Sequence, residues 1–315
     1  MEVSVVVPTC GRKKKLIDCL SSLAKQNYPL NKFEVIVVDD RANKEIKKLI
    51  FQIKFNFGNL VYVSQLSRGP AVARNLGVEA AQGKIVLFTD DDCVAEKNWV
   101  ELMVKIHKDN PDVSAVGGGT YSRSPKIAVL VSQFLSTCSI NTNIDGKEEI
   151  IFFPTCNVSL KREIFEKYKF DKDFPLPGGE DLDFFWRLFK DGHRFIWDKK
   201  IRVIHYREDT FISFLEQAYI YGRGNLLTKY KNNSHVLLKE LKIGRSSFWL
   251  STLGNLIKIP RFSCILGKQF LKHQSKGTGA RRITVYIYFA LHKIFYIFGN
   301  IHEYFRIQSG NVKQS

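Results

Sequence analysis

The chain has 315 residues, of which 44% are hydrophobic and 25% are charged, and this composition excludes a wholly disordered protein. The charge is the unusual quantity, because 48 Lys and Arg against 31 Asp and Glu give a formal net charge of +17 at pH 7. Such an excess indicates an anionic partner, which leaves open a nucleic acid, a phosphorylated ligand and an acidic membrane surface.

The first half of the chain alternates short apolar runs with helical periodicity. Strands separated by helices predict parallel pairing, and near-continuous apolar strands predict a sheet covered on both faces. We therefore expect a doubly wound, mostly parallel α/β domain. The predicted strands are residues 3–7, 35–38, 60–63, 85–88 and 113–116, and the predicted helices are residues 15–26, 70–81 and 98–107.

The pattern changes in the middle of the chain and again near residue 209. Residues 210–315 have only helical patterns, with 16 Lys and Arg and three acidic residues, a net charge of +13 against +4 for the first 209 residues. We predict one domain over residues 1–209 and a basic, apolar helical region over residues 210–315. Before the boundary, shorter strands are predicted at residues 150–154, 158–160, 195–197 and 203–205, with a helix at residues 182–190.

Two C-terminal stretches bear on membrane association. Residues 246–257 are uncharged but form a run of only 12, and residues 283–301 are apolar except for His292, Lys293 and Asn300. A spanning helix needs about 20 apolar residues, and a lysine at its centre costs about 2.5–3.5 kcal/mol. Buried helices, helices lying on an acidic leaflet and true spans therefore all stay open.

The six cysteines contain no C-x-x-C pair, so we expect reduced thiols and no zinc site. The N-terminal apolar run is short, and its basic residues follow it rather than precede it, so no signal peptide is predicted. We expect a cytoplasmic protein whose basic C-terminal region works at the cytoplasmic face of the membrane.

Polar residues end three of the predicted strands. Pro8 and Thr9 end the first, residues 39–40 end the second, and residues 90–92 end the fourth. Because the carboxyl ends of parallel strands meet at one edge, where ligands bind, we expect these side chains to lie together. Acidic turn residues would explain one such pair, but not five aspartates after two strands.

Three adjacent carboxylates repel one another unless a cation lies among them, and oxygen ligands favour Mg²⁺ or Mn²⁺. These ions also bind substrate phosphates, so the pattern predicts a phosphorylated substrate. Arg12, Arg68 and Arg74 flank the same strand ends and can bind phosphate in a bidentate manner. Each arginine alone has the alternative of being a solvated surface charge.

Five short motifs occur in order over roughly residues 1–210. Together they resemble family 2 glycosyltransferases of the GT-A fold, which implies a catalytic domain that transfers a sugar, with inversion, from a nucleotide diphosphate-sugar to an acceptor hydroxyl. The motifs are VSVVVPT ending at Thr9, Val-Val-Asp-Asp ending at Asp40, Arg68-Gly-x-x-x-Ala-Arg-Asn75, Phe-Thr-Asp-Asp-Asp92 and Gly-Glu-Asp181.

The resemblance also implies roles for single residues. Thr9 and Asp39 would meet the nucleotide base, Asp90 would lie near the ribose, and Asp92 would be a metal ligand. The full set predicted to contact the nucleotide-sugar is Pro8, Thr9, Arg12, Asp39, Arg68, Arg74, Asp90 and Asp91.

Inversion by a single displacement needs one base, and the resemblance assigns that role to Asp181 in Gly-Glu-Asp181. A helix start with an acidic first turn is its alternative. His205, at the end of a predicted strand, is the second predicted metal ligand in this family pattern. Its alternative is a purely structural histidine.

The Gln-x-x-Arg-Trp pattern of processive synthases is absent, so we expect one transfer per binding event. The acceptor is expected to be a glycan, a lipid-linked sugar or another hydroxyl compound in glycolipid, cell-envelope or surface-polysaccharide synthesis. Three alternatives stay open: a nucleotidyltransferase, a phosphatase with the D-x-D-x-V pattern over residues 90–94, and a basic binding module without catalysis. No nucleic-acid-binding signature is present, so no nucleic acid partner is expected.

Overall fold

The computed structural model describes residues 1–53, 56–138, 141–144, 147–174, 176–207, 210–232, 245–273, 279–310 and 312. The chain divides into two units. The first comprises Met1–Arg123, Ser139–Pro175 and Glu180–Arg207. The second comprises Ser124–Cys138, Leu176–Gly179 and Glu208–Ser315, so it includes two segments that the sequence analysis placed within the first 209 residues.

The first unit is built on an eight-stranded sheet. Its strands are β1 (Val3–Thr9), β2 (Phe33–Asp39), β3 (Leu60–Ser64), β4 (Ile85–Phe88), β5 (Cys93–Ala95), β6 (Val113–Tyr121), β9 (Val158–Lys161) and β10 (Arg194–His205), and β7 (Asn141–Ile144) pairs separately with β8 (Lys147–Ile150). The order in the large sheet is β3-β2-β1-β4-β9-β6-β10-β5. β9 runs antiparallel to β4 and β6, and β5 runs antiparallel to β10, whereas the other pairs are parallel. The predicted mostly parallel α/β sheet is confirmed.

Apolar side chains cover both faces of this sheet. In β1, Val5 and Val7 belong to one buried cluster and Val6 to another, as expected when successive side chains point to opposite faces. The helices of this unit are α1 (Lys13–Leu23), α2 (Lys44–Ile53), α3 (Pro70–Ala80), α4 (Trp99–Asp109), α6 (Ile164–Lys167) and α7 (Glu180–Lys190). Helix α3 begins with Pro70 after Gly69, whose positive φ of 86° suits glycine.

The middle of the chain shows where the predicted elements were wrong. Residues 151–154 form no strand, although Ile151 and Phe153 are buried and Phe152 is partly exposed in the alternation typical of one. Residues 195–197 and 203–205 belong to the single strand β10, whose pairing with β6 shifts register between Asp198 and Arg202. The charged run at this irregularity hides the continuity of the strand. Strand β5 is not predicted from the sequence, because it has only three residues.

The second unit is helical, as predicted for the C-terminal region. It contains α5 (Ile127–Cys138), α8 (Phe211–Lys231), α9 (Arg245–Ile257), α10 (Ile259–His273) and α11 (Gly279–Gln308). Helices α8 and α11 pack closely at Gly222. A Cβ atom added to this glycine would lie only 2.0 Å from the carbonyl oxygen of Tyr296, so the contact has no room for a side chain. An ion pair of 3.0 Å between Arg223 Nε and Glu303 Oε2 joins the same helices. Among the described residues, no helix has both the length and the apolar character that crossing a membrane requires.

Candidate active site

The polar strand ends predicted from the sequence come together at one edge of the first unit. Thr9 ends β1, Asp39 ends β2, and residues 90–92 follow β4; β1 pairs in parallel with both β2 and β4. Pro8 is partly buried next to Thr9. His205 ends β10 and lies opposite Cys93 of β5. The ends of β1, β2 and β4 therefore form this edge together with the paired residues Cys93 and His205.

Asp91 is the most deeply placed of the three consecutive aspartates, with no exposed side-chain surface. Its Oδ2 accepts hydrogen bonds from Thr9 Oγ1 at 2.6 Å and from Arg12 Nε at 3.3 Å, and its Oδ1 pairs with Arg12 Nη2. Burial raises the pKa of Asp91 above its usual value, and Arg12 opposes this shift. Thr9 and Arg12 thus already use both oxygens of this carboxylate.

Both carboxylate oxygens of Asp92 have basic side chains beside them. Its Oδ2 accepts from Arg12 Nη1 at 2.8 Å and lies 3.7 Å from Lys15 Nζ, while its Oδ1 lies 3.1 Å from His205 Nε2. Burial tends to raise the pKa of Asp92, but His205 and the other cations hold it well below its usual range. Burial and Arg207 lower the pKa of His205, yet Asp92 outweighs them and raises it to about 9.

The donor set at this edge fits a divalent cation. Ligand atoms of Asp90, Asp92 and His205 lie within 4.8 Å of one another. Among the described residues, Asp92 Oδ1 and His205 Nδ1 are buried and are not matched to a standard hydrogen bond, although Asp92 Oδ1 lies 3.1 Å from His205 Nε2 as an ion pair. Two carboxylates and an imidazole suit Mn²⁺, and carboxylates alone suit Mg²⁺.

Arg74 connects this edge to the start of helix α7. Its Nη2 donates to Asp90 Oδ1 at 3.3 Å, and its Nη1 donates to Glu180 Oε1 at 2.8 Å. Arg74 and Glu180 expose only 5% and 4% of their side chains, whereas Asp90 exposes 27%. The sequence predicts that Arg74 contacts the nucleotide-sugar, and in the structure its guanidinium is bonded to the carboxylates of Asp90 and Glu180.

Asp181 occupies the first turn of α7, next to Glu180. Burial and the negative charge of Glu180 raise the pKa of Asp181 to about 8, against the opposing effect of Arg74. A carboxylate with such a pKa binds a proton more readily than an ordinary aspartate, which is what a general base requires. Asp181 and Glu180 are adjacent in sequence, but only Glu180 forms the ion pair with Arg74 among the contacts described above.

Asp39 and Asp40 hold the loops beside β2. Buried Asp39 accepts backbone N–H groups of Arg41 at 3.0 Å and Asn43 at 2.7 Å, together with the hydroxyl of Tyr62 at 2.9 Å. Asp40 accepts the backbone N–H of Arg68 at 2.8 Å. The side chain of Arg68 is exposed. Of these two predicted nucleotide-binding residues, Asp39 is buried and its carboxylate is bonded within the protein, whereas the guanidinium of Arg68 is exposed.

Cys93 and Cys156 are neighbours of this site that the sequence analysis did not assign to it. Both are buried, and their sulfur atoms lie with a ring nitrogen of His205 in one group. Cys93 directly follows Asp92, which is a local signal for its position. Cys156 is far along the chain and is brought here only because β9 inserts between β4 and β6.

Comparisons with known proteins identify the family. The model of Glycosyl transferase family 2 matches residues 4–169. The glycosyltransferase AglE of Haloferax volcanii is 29% identical over 168 residues, covering 52% of this chain and 54% of the relative. The glucosyl-dolichyl phosphate glucuronosyltransferase of the same organism is 28% identical over 223 residues, covering 65% of this chain and 69% of the relative. The chain thus spans about half the length of the first relative and about two thirds of the second.

Solved structures support the same fold. The mannosyltransferase PcManGT from Pyrobaculum calidifontis, in complex with GDP-Man and Mn²⁺, superposes with a TM-score of 0.64 at 18% identity, covering 96% of this chain and 86% of that chain. The chain belongs to glycosyl transferase family 2. It is a glycosyltransferase with a GT-A-type catalytic fold followed by a helical region, and this decides against the phosphatase and nucleotidyltransferase alternatives.

Proposed function

We propose that this glycosyltransferase is inverting, metal-dependent and non-processive, and that it moves a sugar from a nucleotide diphosphate-sugar to a hydroxyl of a lipid-linked or other glycan acceptor. Residues 1–209 form the catalytic domain in this proposal, and residues 210–315 are the part that meets the membrane. The observation that carries the proposal is the position of Arg74, which bonds to Asp90 of the cation-binding set and to Glu180 beside Asp181.

Asp90, Asp92 and His205 would hold Mn²⁺ or Mg²⁺ together with the donor diphosphate. Such an ion neutralises the charge that develops on a diphosphate leaving group. Arg12 and Lys15 keep Asp92 ionised, because their positive charges lie beside its carboxylate. Thr9 and Arg12 position the 90–92 segment through Asp91, so the carboxylates are held before a donor arrives.

Asp181 is the base that removes the proton of the acceptor hydroxyl as the sugar is transferred. Its position after Glu180 places it next to the Arg74 pair, and its raised pKa of about 8 lets it hold that proton. A single displacement needs no second nucleophile, so the product has the opposite anomeric configuration. The absence of the Gln-x-x-Arg-Trp pattern supports the transfer of one sugar in each binding event.

An acidic membrane surface, or an acceptor attached to a lipid phosphate, accounts best for the charge of the second unit. Residues 241–302 contain no Asp or Glu. Helix α9 exposes a row of apolar side chains, and exposed Lys258 and Arg261 follow it. Relatives that act on dolichyl phosphate-linked sugars are consistent with such an acceptor. The cytoplasmic face of a membrane is therefore the proposed place of action.

The decisive test compares Asp181→Asn with wild type. The substitution keeps the shape of the side chain, so Mn²⁺-dependent binding of UDP- and GDP-sugars, measured by calorimetry, should be unchanged. Transfer or donor hydrolysis should fall by about 10²–10⁴-fold, because the base is lost. Asp18→Asn, on an exposed position of α1, is the matched control and should keep full activity. Turnover of Asp181→Asn at the wild-type rate would contradict the proposal.

A panel of nucleotide-sugars identifies the donor, and the products report the mechanism. The anomeric configuration of the product is read by NMR and should be opposite to that of the donor. Mass spectrometry of an extended glycan acceptor should show one added sugar for each binding event. A retained configuration or a ladder of long products would contradict the corresponding part of the proposal.

A further inference from the structure

Two buried thiols lie beside the proposed cation site and have no part in the mechanism above. Cys93 begins β5 directly after Asp92, and Cys156 lies just before β9. Their relative exposures are 1% and 4%. The two Sγ atoms and one ring nitrogen of His205 lie within 4.8 Å of one another. Three ligand atoms from three separate segments of the chain thus converge on one point.

The fold holds two of these groups in fixed register. Cys93 and His205 are directly opposite each other in the antiparallel pairing of β5 with β10. Side chains on opposite residues of such a pair stand side by side on one face of the sheet. The ligands would therefore need little rearrangement to close around an ion.

The chemistry of this set differs from that of the carboxylate set. Two thiolates and an imidazole are ligands that Zn²⁺ takes in tetrahedral sites, whereas Mg²⁺ and Mn²⁺ prefer oxygen. We propose that Cys93, Cys156 and His205 form a second cation site, which takes Zn²⁺ or another thiophilic divalent ion. No zinc site is predicted from the sequence, because Cys93 and Cys156 are far apart in the chain and form no C-x-x-C pair.

His205 belongs to both sets, and this gives the second site a consequence. An ion bound by the two thiolates and His205 uses the same imidazole that a cation at Asp90 and Asp92 would need, so the two ions compete for this ligand. Zn²⁺ should therefore displace Mn²⁺ and inhibit transfer. The site itself depends only on the geometry of the three ligands; the inhibition rests on the proposed function.

The first experiment measures metal binding by the full-length, reduced, metal-free protein. Co²⁺ should produce the intense sulfur-to-metal charge-transfer absorption of a thiolate site, and Zn²⁺ should bleach it. Cys93→Ser and Cys156→Ser should each weaken Zn²⁺ binding by about tenfold or more and leave Mn²⁺ binding unchanged. Cys19→Ser removes another buried thiol of the same unit and should bind Zn²⁺ like wild type.

The Co²⁺ spectrum of the wild-type chain decides the proposal even if a serine variant fails to fold. Absence of the charge-transfer band, or wild-type Zn²⁺ affinity in both variants, would overturn it. Electron paramagnetic resonance then follows Mn²⁺: Zn²⁺ should release it from wild type at a lower concentration than from Cys156→Ala. A protein that binds Zn²⁺ at the thiolates but transfers no sugar would keep the site and reject the proposed function.

Discussion

Arg74 Nη1 lies 2.8 Å from Glu180 Oε1, and both side chains are almost completely buried. Burial lowers the pKa of Arg74, but Glu180 and Asp90 outweigh it and raise that pKa above its usual value. Taking two charges out of water is costly, so such a pair is stable only while both partners are present. The ion pair links α3 to α7 within the first unit and holds the helix that begins beside Asp181.

Removing one partner of this pair should destabilise the protein strongly. Arg74→Gln leaves the carboxylate of Glu180 buried without its counter-charge, so the free energy of unfolding should fall by about 3–5 kcal/mol in urea denaturation. The double variant Arg74→Gln/Glu180→Gln should lose less than the sum of the single changes. Lys169→Gln breaks an exposed pair with Glu79 and should cost less than about 1 kcal/mol. Additive effects of Arg74→Gln and Glu180→Gln would contradict this account.

The pH dependence of transfer should report the pKa of Asp181. A base must be ionised to act, so kcat/KM should fall as the pH drops below about 8. Glu180→Gln removes the negative charge that raises this pKa and should move the acidic limb to lower pH. Glu163→Gln, on an exposed position, should leave the profile unchanged. A limb that does not move in Glu180→Gln would contradict the assignment of Asp181 as the base.

The same pKa predicts an effect of Asp181 on stability. The folded-state pKa of about 8 is above the ordinary value of an aspartate, so folding favours the protonated form. That favourable contribution is complete below about pH 4 and is lost as the pH rises to about 8. Asp181→Asn cannot ionise, so its Tm should rise relative to wild type over this interval. Parallel Tm curves for the two proteins would show that the carboxylate is not destabilised by burial.

Asp92 should control metal binding. Asp92→Asn removes a charged ligand from the set with Asp90 and His205, so Mn²⁺ affinity should fall by about tenfold or more, as measured by electron paramagnetic resonance. Binding of the nucleotide-sugar should then lose its dependence on Mn²⁺. Asp18→Asn is again the surface control. Unchanged Mn²⁺ affinity in a folded Asp92→Asn protein would place the cation elsewhere.

Two glycines of the second unit should respond in opposite directions to the same substitution. A Cβ atom on Gly224 would lie 1.9 Å from the carbonyl oxygen of Gly178, so Gly224→Ala should lower the free energy of unfolding by about 1–3 kcal/mol. Gly254 lies within α9 and has nothing within 4 Å of its added Cβ. Gly254→Ala should therefore stabilise the protein by about 0.5–1 kcal/mol through helix propensity. A stable Gly224→Ala variant would contradict the close backbone contact.

Helix α9 should contribute to membrane binding. Leu253 is 56% exposed, in a row of exposed apolar residues that also contains Trp249, Leu250, Leu256 and Ile257. Leu253→Glu should reduce binding to phosphatidylglycerol vesicles by about tenfold, because the change removes an apolar anchor and adds a negative charge that the anionic lipid repels. Leu66→Glu, at a residue 77% exposed in the first unit, should have no effect. Equal binding of wild type to neutral phosphatidylcholine vesicles, or insensitivity to salt, would contradict an acidic surface as the partner.

The sequence was sufficient to predict the elements whose signals are local. The apolar runs before Thr9, Asp39 and Asp90 predicted strands β1, β2 and β4, and their polar ends predicted one functional edge. Helix α3 was predicted over residues 70–81, with Pro70 at its start, and the structure has it at Pro70–Ala80. These signals need only neighbouring residues, because strand alternation, helix periodicity and backbone conformation are properties of short segments.

The tertiary structure decided which distant residues meet. Local signals do not show that residues 195–205 form one strand, because a charged run interrupts the apolar pattern. They also do not show that residues 151–154 form no strand, because the burial of these residues alternates as it does in a strand. The pairing of Arg74 with Glu180 and the approach of Cys156 to His205 depend on sheet order, above all on β9 between β4 and β6. The sequence by itself determined the fold class, the family and the chemical groups at the strand ends. Only the packing of the whole sheet decided their partners, because long-range contacts depend on how the strands are ordered and paired.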